Sequence, residues 1–133
     1  MKITDFKIFV VSNLPPGSGG KYFIFVKLIA NDDTTGIGAI CSVPFNPHVV
    51  ARMTEGVCGQ LVVGNDPFKI EQLWRNAYGS DFTQCWDISI LGVLSGINRA
   101  CWDIVGKSAY ELPSGQLHER LRSYTYSLSQ PKR

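Results

Sequence analysis

The most regular hydrophobic pattern in the chain lies in Ile88–Lys107. Apolar residues recur there at steps of three and four, which is the repeat of one face of an α-helix. They are Leu91, Leu94, Ile97, Cys101 and Ile104. Asp87 directly precedes this segment and is placed to cap the helix by accepting a hydrogen bond from a free N–H group. Because Asn98, Arg99 and Asp103 interrupt the apolar run, it is too short to span a membrane, and we predict the central helix of a soluble protein.

Small residues form a second pattern within the same helix. Gly92, Gly96 and Ala100 recur every four residues and therefore share one side. A glycine inside a helix costs about 1 kcal/mol relative to alanine, so two of them one turn apart predict a place where another backbone comes very close. Asp103 and Lys107, also four residues apart, predict a weakly stabilising ion pair on the surface.

Three strands are predicted before the helices. Alternation, although imperfect, indicates a strand in Lys2–Val11, and aromatic and β-branched residues indicate a second in Lys21–Ala30. The intervening Ser12–Gly20 is rich in proline and glycine. A phosphate-binding loop would need a helix directly after the glycines, whereas a strand follows, so a loop joining two strands is favoured. The turn Asn31–Gly36 leads to a third strand, Gly36–Cys41, and the three predict an antiparallel meander.

Helices follow the meander. Asn46 and Pro47 are suited to start a helix whose apolar spacing extends over His48–Val63. Asp66-Pro67 predicts the start of another helix. Its predicted apolar side consists of Phe68, Ile70, Leu73, Trp74 and Ala77. Near the end of the chain, alternation predicts a short strand in Glu119–Leu128. The fold class is therefore α+β: a three-stranded antiparallel meander, then a bundle of three helices, then a short C-terminal strand.

Composition and charge narrow the function classes. The chain has 133 residues, of which 44% are hydrophobic and 18% charged, as expected for one globular domain. A net charge of +2, without a basic stripe interleaved with aromatic residues, argues against nucleic acid as a partner. The first residues alternate instead of forming the apolar core of a signal peptide, so we expect a cytoplasmic protein without a membrane span.

Candidate metal and thiol chemistry is sparse. The four cysteines never form a Cys-x-x-Cys pair; they are Cys41, Cys58, Cys85 and Cys101. Without a secretion signal we expect reduced and mostly buried thiols. A zinc site would require distant residues to converge, and only His48 and His118 could help them. The adjacent Asp32 and Asp33 lie in a predicted turn, where such residues usually face water.

The order of several segments carries a resemblance to a known family. The segments are MKITDFKIFVV, KYFIFVKL, TGIGAI, DPFKIEQLW, GVLSGINRACWDIVGK and HERLRSYTY. Together they resemble the amino-terminal part of the enolase superfamily, and most closely the mandelate racemase and muconate lactonizing enzyme group with its sugar-acid dehydratases. The resemblance extends from Met1 to about Tyr126. It implies an enolase-like N-terminal capping domain in residues 1–112, and in residues 113–133 a connection and the start of a barrel that is missing.

The resemblance also implies where chemistry takes place. Enzymes of this family remove a proton α to a carboxylate and stabilise the product with Mg²⁺, using a Lys or His base. These groups lie on the barrel in the family, so the resemblance implies no catalytic residue, no metal ligand and no cofactor in this chain, with Mg²⁺ in the full-length relatives. The loops of the cap are implied to cover the substrate. The implied substrate-binding lid residues are Gly19, Gly20, Lys21, Tyr22, Pro44, Phe45 and His48.

Two function hypotheses follow from these expectations. The first is a truncated protein of this group: a capping domain that is not catalytic alone, with a separately encoded barrel as one possible partner. The second is a standalone module that binds a small carboxylate or sugar acid, or that assembles with other proteins. Since the face that relatives bury against the barrel would be exposed, we expect self-association into a homo-oligomer. The expected contact is the central helix or the last strand, Glu119–Leu128.

Overall fold

The computed structural model describes residues 1–13, 22–40, 46–79 and 88–110. Within these ranges it confirms the predicted α+β fold, with three antiparallel strands followed by three helices. The elements are β1 (Ile3–Ser12), β2 (Tyr22–Ala30), β3 (Thr35–Ile40), α1 (Pro47–Val57), α2 (Ile70–Gly79) and α3 (Ile88–Tyr110), with a π-helical turn (Cys58–Val62) after α1. The predicted strand Glu119–Leu128 and the predicted cap Asp87 lie outside the described residues.

The sheet has the order β1-β2-β3, with antiparallel pairing throughout. The register between β1 and β2 shifts between Ile3 and Asp5, which marks a β-bulge. The bulge puts Ile3 on the same face as Phe6, Ile8 and Val10, although a strict two-residue alternation would place it on the opposite face. The imperfect alternation of the first strand therefore has a structural cause.

The turn between β2 and β3 follows the predicted Asn and Asp chemistry. Asp33 has a φ of 64°, in the left-handed region. Its N–H group donates to the carbonyl of Ala30 at 3.1 Å, and the Asp32 carboxylate accepts from the N–H group of Thr34 at 3.1 Å. Both aspartates are exposed, so the pair serves the turn and faces water as predicted.

The core lies between the inner face of the sheet and the helices. Its β2 side consists of Ile24, Val26, Leu28 and Ala30, all buried. On α3 it includes four of the five residues from which the helix was predicted: Leu94, Ile97, Cys101 and Ile104. By length and composition α3 could cross a membrane, so the prediction that its apolar run is too short was wrong. In this fold its apolar side is instead buried against the sheet, as predicted for a central helix.

Two residues of the small-residue strip on α3, Gly96 and Ala100, pack directly on β3. A Cβ atom added to Gly38 would overlap the carbonyl oxygen of Gly96, and one added to Gly36 would overlap the carbonyl oxygen of Ala100. Two backbones therefore meet here without side chains between them, which confirms the close approach predicted from the helix sequence. The partner of the strip is the pair of glycines in β3.

Charged side chains of α3 bind the outer edge of β3. Lys107 Nζ donates to the Thr35 carbonyl at 2.7 Å, and Asp103 Oδ2 accepts from the Ile37 N–H group at 3.0 Å. Arg99 Nη1 makes a longer contact of 3.4 Å with the Ala39 carbonyl. We call these three side chains the edge ladder. The predicted pair of Asp103 and Lys107 is also present, at 2.8 Å.

The spacing of the edge ladder follows from the geometry of the two elements. Four residues of α-helix rise about 6.0 Å and two residues of strand rise about 6.6 Å. Residues four apart on α3 can therefore reach alternate residues of β3, which are the residues whose backbone groups point away from the neighbouring strand. Side chains of α3 thus bind backbone groups of the β3 edge that would otherwise have no hydrogen-bond partner in the sheet.

Two helix boundaries differ from those predicted. The helix expected over His48–Val63 is regular only to Val57 and then widens into the π-helical turn, where the Val63 N–H group donates to the Cys58 carbonyl at 3.0 Å. The second helix begins at Ile70 and not at Asp66-Pro67. Asp66 instead caps a separate turn by accepting from the Phe68 N–H group at 3.1 Å.

This later start corrects the predicted apolar side of α2. Leu73 and Ala77 are buried and Ile70 and Trp74 are partly buried, as predicted. Phe68 lies before the helix and is 52% exposed, so it does not belong to the packed side. Periodicity alone assigned it to the helix because its spacing fits, whereas the Asp66 turn places its ring toward solvent.

Two of the predicted buried thiols lie in the core. Cys58 and Cys101 are free and buried, and Cys41 and Cys85 lie outside the described residues. Burial removes water from the thiolate form, which raises the pKa of Cys58 to about 12 and that of Cys101 to about 11. The nearby Cys101 adds to the shift of the Cys58 pKa. Both groups are therefore neutral thiols at physiological pH.

These thiols predict a loss of stability in alkali. Each thiol has a higher pKa in the folded state than in the unfolded state, where the pKa is about 8.5. Its contribution to the free energy of unfolding is therefore complete below about pH 8.5 and is lost as the pH rises toward 11–12. The free energy of unfolding should therefore fall between pH 8.5 and 11, by at most about 2.7 kcal/mol per pH unit for two protons. Urea unfolding at several pH values measures this. The control is Cys58→Ala/Cys101→Ala, which should show a flatter dependence; equal slopes would contradict the prediction.

Candidate functional site

One end of the sheet collects the chain connections that the sequence singled out. Ser12 at the end of β1 pairs with Tyr22 at the start of β2, and Ile24 in β2 pairs with Ile40 at the end of β3. The segments 14–21 and 41–45 are therefore both attached at this end of the sheet. We call it the loop end. The opposite end carries the tight turn between β2 and β3.

Tyr22 and His48 are the predicted site residues that the structure describes. Tyr22 opens β2 and is 44% exposed. His48 is exposed and is the second residue of α1, which follows directly on the segment 41–45. The other five predicted residues lie outside the described residues: Gly19, Gly20, Lys21, Pro44 and Phe45. Tyr22 thus lies at the loop end, and His48 follows along the chain the segment 41–45 that leaves this end.

The start of α1 is built by its first residues. Asn46 is extended and its side chain accepts from the His48 N–H group at 2.9 Å, and Pro47 occupies the first turn, where no N–H group is needed. This confirms the predicted cap. The first turn contains no acidic residue, so the partial positive charge of the helix end is not offset there. An anionic group such as a carboxylate is electrostatically favoured on this side of the domain.

The described residues do not form a site that fits Mg²⁺. Mg²⁺ needs several oxygen ligands in near-octahedral geometry. Within the four described ranges, no group of three or more His, Cys, Asp or Glu side chains could hold a metal ion. Several of the carboxylates are bound locally instead: Asp5 accepts from the Phe6 N–H group at 2.8 Å, and Asp103 is part of the edge ladder.

A surface groove that the sequence did not predict lies between α2 and α3. Its volume is about 850 Å³. It is lined by Phe68, Lys69, Ile70, Glu71, Gln72, Arg75, Asn76, Trp102 and Val105. Trp102 is 60% exposed, because it lies off the apolar stripe of α3. The position of Trp102 was the signal in the sequence that could have indicated the groove, because a tryptophan outside the apolar stripe of a core helix faces a surface. The groove carries charges of both signs and lies outside the predicted site.

Fold and site together define a class of protein: an α+β domain whose loop end carries the connections 14–21 and 41–45. The sequence profile of the mandelate racemase / muconate lactonizing enzyme N-terminal domain matches residues 17–117. The chain therefore belongs to the mandelate racemase / muconate lactonizing enzyme family, through the N-terminal domain. The resemblance inferred from the six segments is confirmed.

Similar proteins agree with this family. A D-galactonate dehydratase family member of Pseudarthrobacter chlorophenolicus is 30% identical over 131 residues, which cover 96% of this chain and 30% of the relative. A D-galactonate dehydratase of Ralstonia pickettii is 30% identical over 135 residues, covering 95% of this chain and 31% of the relative. The chain thus spans about a third of the length of these curated relatives.

Solved structures show the same relation. A protein of Labrenzia alexandrii, assigned to the mandelate racemase/muconate lactonizing enzyme group, is 49% identical with a TM-score of 0.79; the match covers 92% of this chain and 32% of that chain. A mandelate racemase/muconate lactonizing enzyme from Sulfitobacter is 37% identical with a TM-score of 0.78, covering 82% and 28%. The architecture described above is therefore that of one domain in longer enzymes.

Proposed function

We propose that this chain acts as the capping domain of a Mg²⁺-dependent enzyme acting on sugar acids, a dehydratase or racemase. The observation that carries the proposal is the arrangement at the loop end. The connections 14–21 and 41–45 are attached at the same end of one sheet; the first leads into Tyr22 and the second into the start of α1. Connections attached at one end of a sheet suit a cover that selects a substrate and excludes water. The favourable field at the start of α1 suits the carboxylate of a sugar acid.

We further propose that the 133-residue chain has no turnover on its own. A general base must come within about 3 Å of the proton that it removes, beside the metal ion that stabilises the product. The resemblance puts these groups on the barrel, and the dehydratases that this chain matches are about three times as long. The barrel would then come from a second polypeptide or from further sequence. The cytoplasmic location stays a prediction.

The test combines this chain with a barrel. The purified chain, given D-galactonate and Mg²⁺, should show no dehydration. Joined through residues 1–112 to the barrel of the Ralstonia pickettii dehydratase, it should support dehydration of a sugar acid. Activity of the isolated chain would contradict the proposed inactivity, and a folded but inactive fusion would contradict the proposed cap.

His48 provides the residue-level prediction. In the active fusion, His48→Ala should raise KM for the sugar acid about threefold to tenfold, the effect of losing one hydrogen bond, with kcat little changed. The matched control is Asp32→Ala, at the opposite end of the sheet, which should leave both constants unchanged. Equal effects of the two substitutions would show that His48 does not contact the substrate.

One observation favours a role in assembly as the second candidate. The outer face of the sheet exposes several large apolar side chains: Phe9, Val11, Phe23 and Ile37. On the same face the rings of Phe23 and Phe25 lie 6.5 Å apart. Exposed apolar groups that cluster on one face are typical of an interaction surface.

A further inference from the structure

The two edges of the sheet differ in how their backbone groups are satisfied. At the β3 edge, the edge ladder binds the Thr35 carbonyl, the Ile37 N–H group and the Ala39 carbonyl. An edge that is bound in this way by side chains of its own chain offers little to another strand.

The β1 edge is bound only at its beginning. The Ile3 N–H group donates to the Asn65 carbonyl at 2.9 Å, and the Ile3 carbonyl accepts from the Gly64 N–H group at 2.8 Å. Beyond the bulge, the Phe6 N–H group donates to the Asp5 side chain at 2.8 Å, and the backbone of residues 7–12 is hydrogen-bonded to β2 and to no other group among the described residues. The end of this strand, Ile8–Ser12, contains no charged residue and no proline. It therefore lacks the usual features that keep an edge strand from pairing.

We propose that a second copy of this chain pairs antiparallel with the free edge of β1, so that the two three-stranded sheets form one sheet of six strands. This contact differs from the central helix and the last strand expected from the sequence. It does not depend on the proposed capping function. The apolar side of α3 is already packed against the sheet. Among the described residues, the sheet edge that remains open is that of β1.

A second copy fits this edge because β1 is self-complementary. When two β1 strands pair around a two-fold axis at Phe9, the two Phe9 residues lie opposite each other and Lys7 lies opposite Val11 of the second copy. Ile8 then lies opposite Val10 of the second copy. The inner faces of the two sheets therefore join into one face, and the outer faces join into the other. Cross-strand aromatic and aliphatic pairs stabilise a sheet, and no like charges are directly opposed in this register. Within each copy, by contrast, Lys7 of β1 lies directly opposite Lys27 of β2, so like charges are opposed there.

The experiment measures the mass of the 133-residue chain by light scattering over a wide concentration range. The parent chain should form a dimer. Phe9→Lys and Val11→Lys should each weaken dimerisation about thirtyfold or more, since a lysine on an edge disfavours pairing and each substitution occurs twice in the dimer. The matched control is Ile37→Lys, on the same outer face but at the β3 edge. Phe9, Val11 and Ile37 are 45%, 46% and 53% exposed, so all three substitutions should leave the domain folded, as checked by circular dichroism.

A second measurement needs no substitution. Amide hydrogen exchange of the parent chain should show protection of alternate amides in Asp5–Ser12 that increases with protein concentration. A chain that is monomeric at every concentration overturns the proposal, and so does a dimer that resists both Phe9→Lys and Val11→Lys. Loss of the dimer on Ile37→Lys would assign the contact to the outer face and not to the edge. Protection of β1 in a monomer would mean that the chain covers its own edge.

Discussion

Replacing Gly38 by alanine is expected to lower the free energy of unfolding by about 3 kcal/mol or more. The added methyl group would overlap the carbonyl oxygen of Gly96, and this oxygen is part of the backbone of α3. A flexible side chain could rotate away, but here the whole helix would have to move off the sheet. Gly38 does not have a positive φ, so alanine can adopt its backbone conformation without strain. The loss in the free energy of unfolding therefore reports the overlap alone.

The measurement is urea unfolding of the parent chain and of a graded series. Gly96→Ala should cost less than Gly38→Ala, because its methyl group meets chiefly a side-chain atom, Cγ1 of Ile40, and not a backbone carbonyl oxygen. Gly56→Ala is the matched control: Gly56 is exposed in α1 with no atom within 4 Å of an added Cβ. It should gain about 0.5–1 kcal/mol from helix propensity. A Gly38→Ala protein as stable as the parent would show that α3 does not lie this close to β3.

Removing two of the three side chains of the edge ladder is expected to add a second association step. In Asp103→Ala/Lys107→Ala, the Ile37 N–H group and the Thr35 carbonyl lose their partners, and the β3 edge becomes available to another strand. Together with pairing at β1, a second open edge lets the sheet grow without closing, so assemblies larger than a dimer should form. The lost charge-assisted hydrogen bonds should lower the free energy of unfolding by about 1–2 kcal/mol, since both side chains are partly exposed.

Light scattering and sedimentation measure the size of these assemblies. The matched control is Arg52→Ala/Glu55→Ala, which removes an ion pair of the same 2.8 Å length from the surface of α1. That pair binds no strand edge, and an exposed ion pair contributes at most about 1 kcal/mol, so size and stability should change little. If the Asp103→Ala/Lys107→Ala protein has the same mass as the parent, the edge ladder does not control association.

The candidate site could be anticipated only in part. Tyr22 lies at the loop end and His48 in the first turn of α1, and the lid roles that the resemblance implied for them stay predictions. The groove beside Trp102 was missed because Phe68 fitted the helical repeat of α2. An aspartate turn placed Phe68 in front of the helix instead. A repeat of three and four residues records which positions are apolar but does not record where the first helical hydrogen bond forms.

The amino-acid sequence by itself determined the three strands, the three helices and most of the apolar side of α3, because periodicity and turn chemistry act over a few neighbouring residues. It also predicted that a backbone would approach the glycines of α3, and Gly96 is one of them. Only the tertiary structure decided that β3 is this backbone, that the β1 bulge turns Ile3 inward, and that Asp103 and Lys107 bind a strand edge as well as each other. Most of these contacts join residues far apart in the sequence, 72 positions in the case of Thr35 and Lys107. They depend on the angle and depth at which a helix crosses a sheet, which the packing of the whole core sets and no local pattern records.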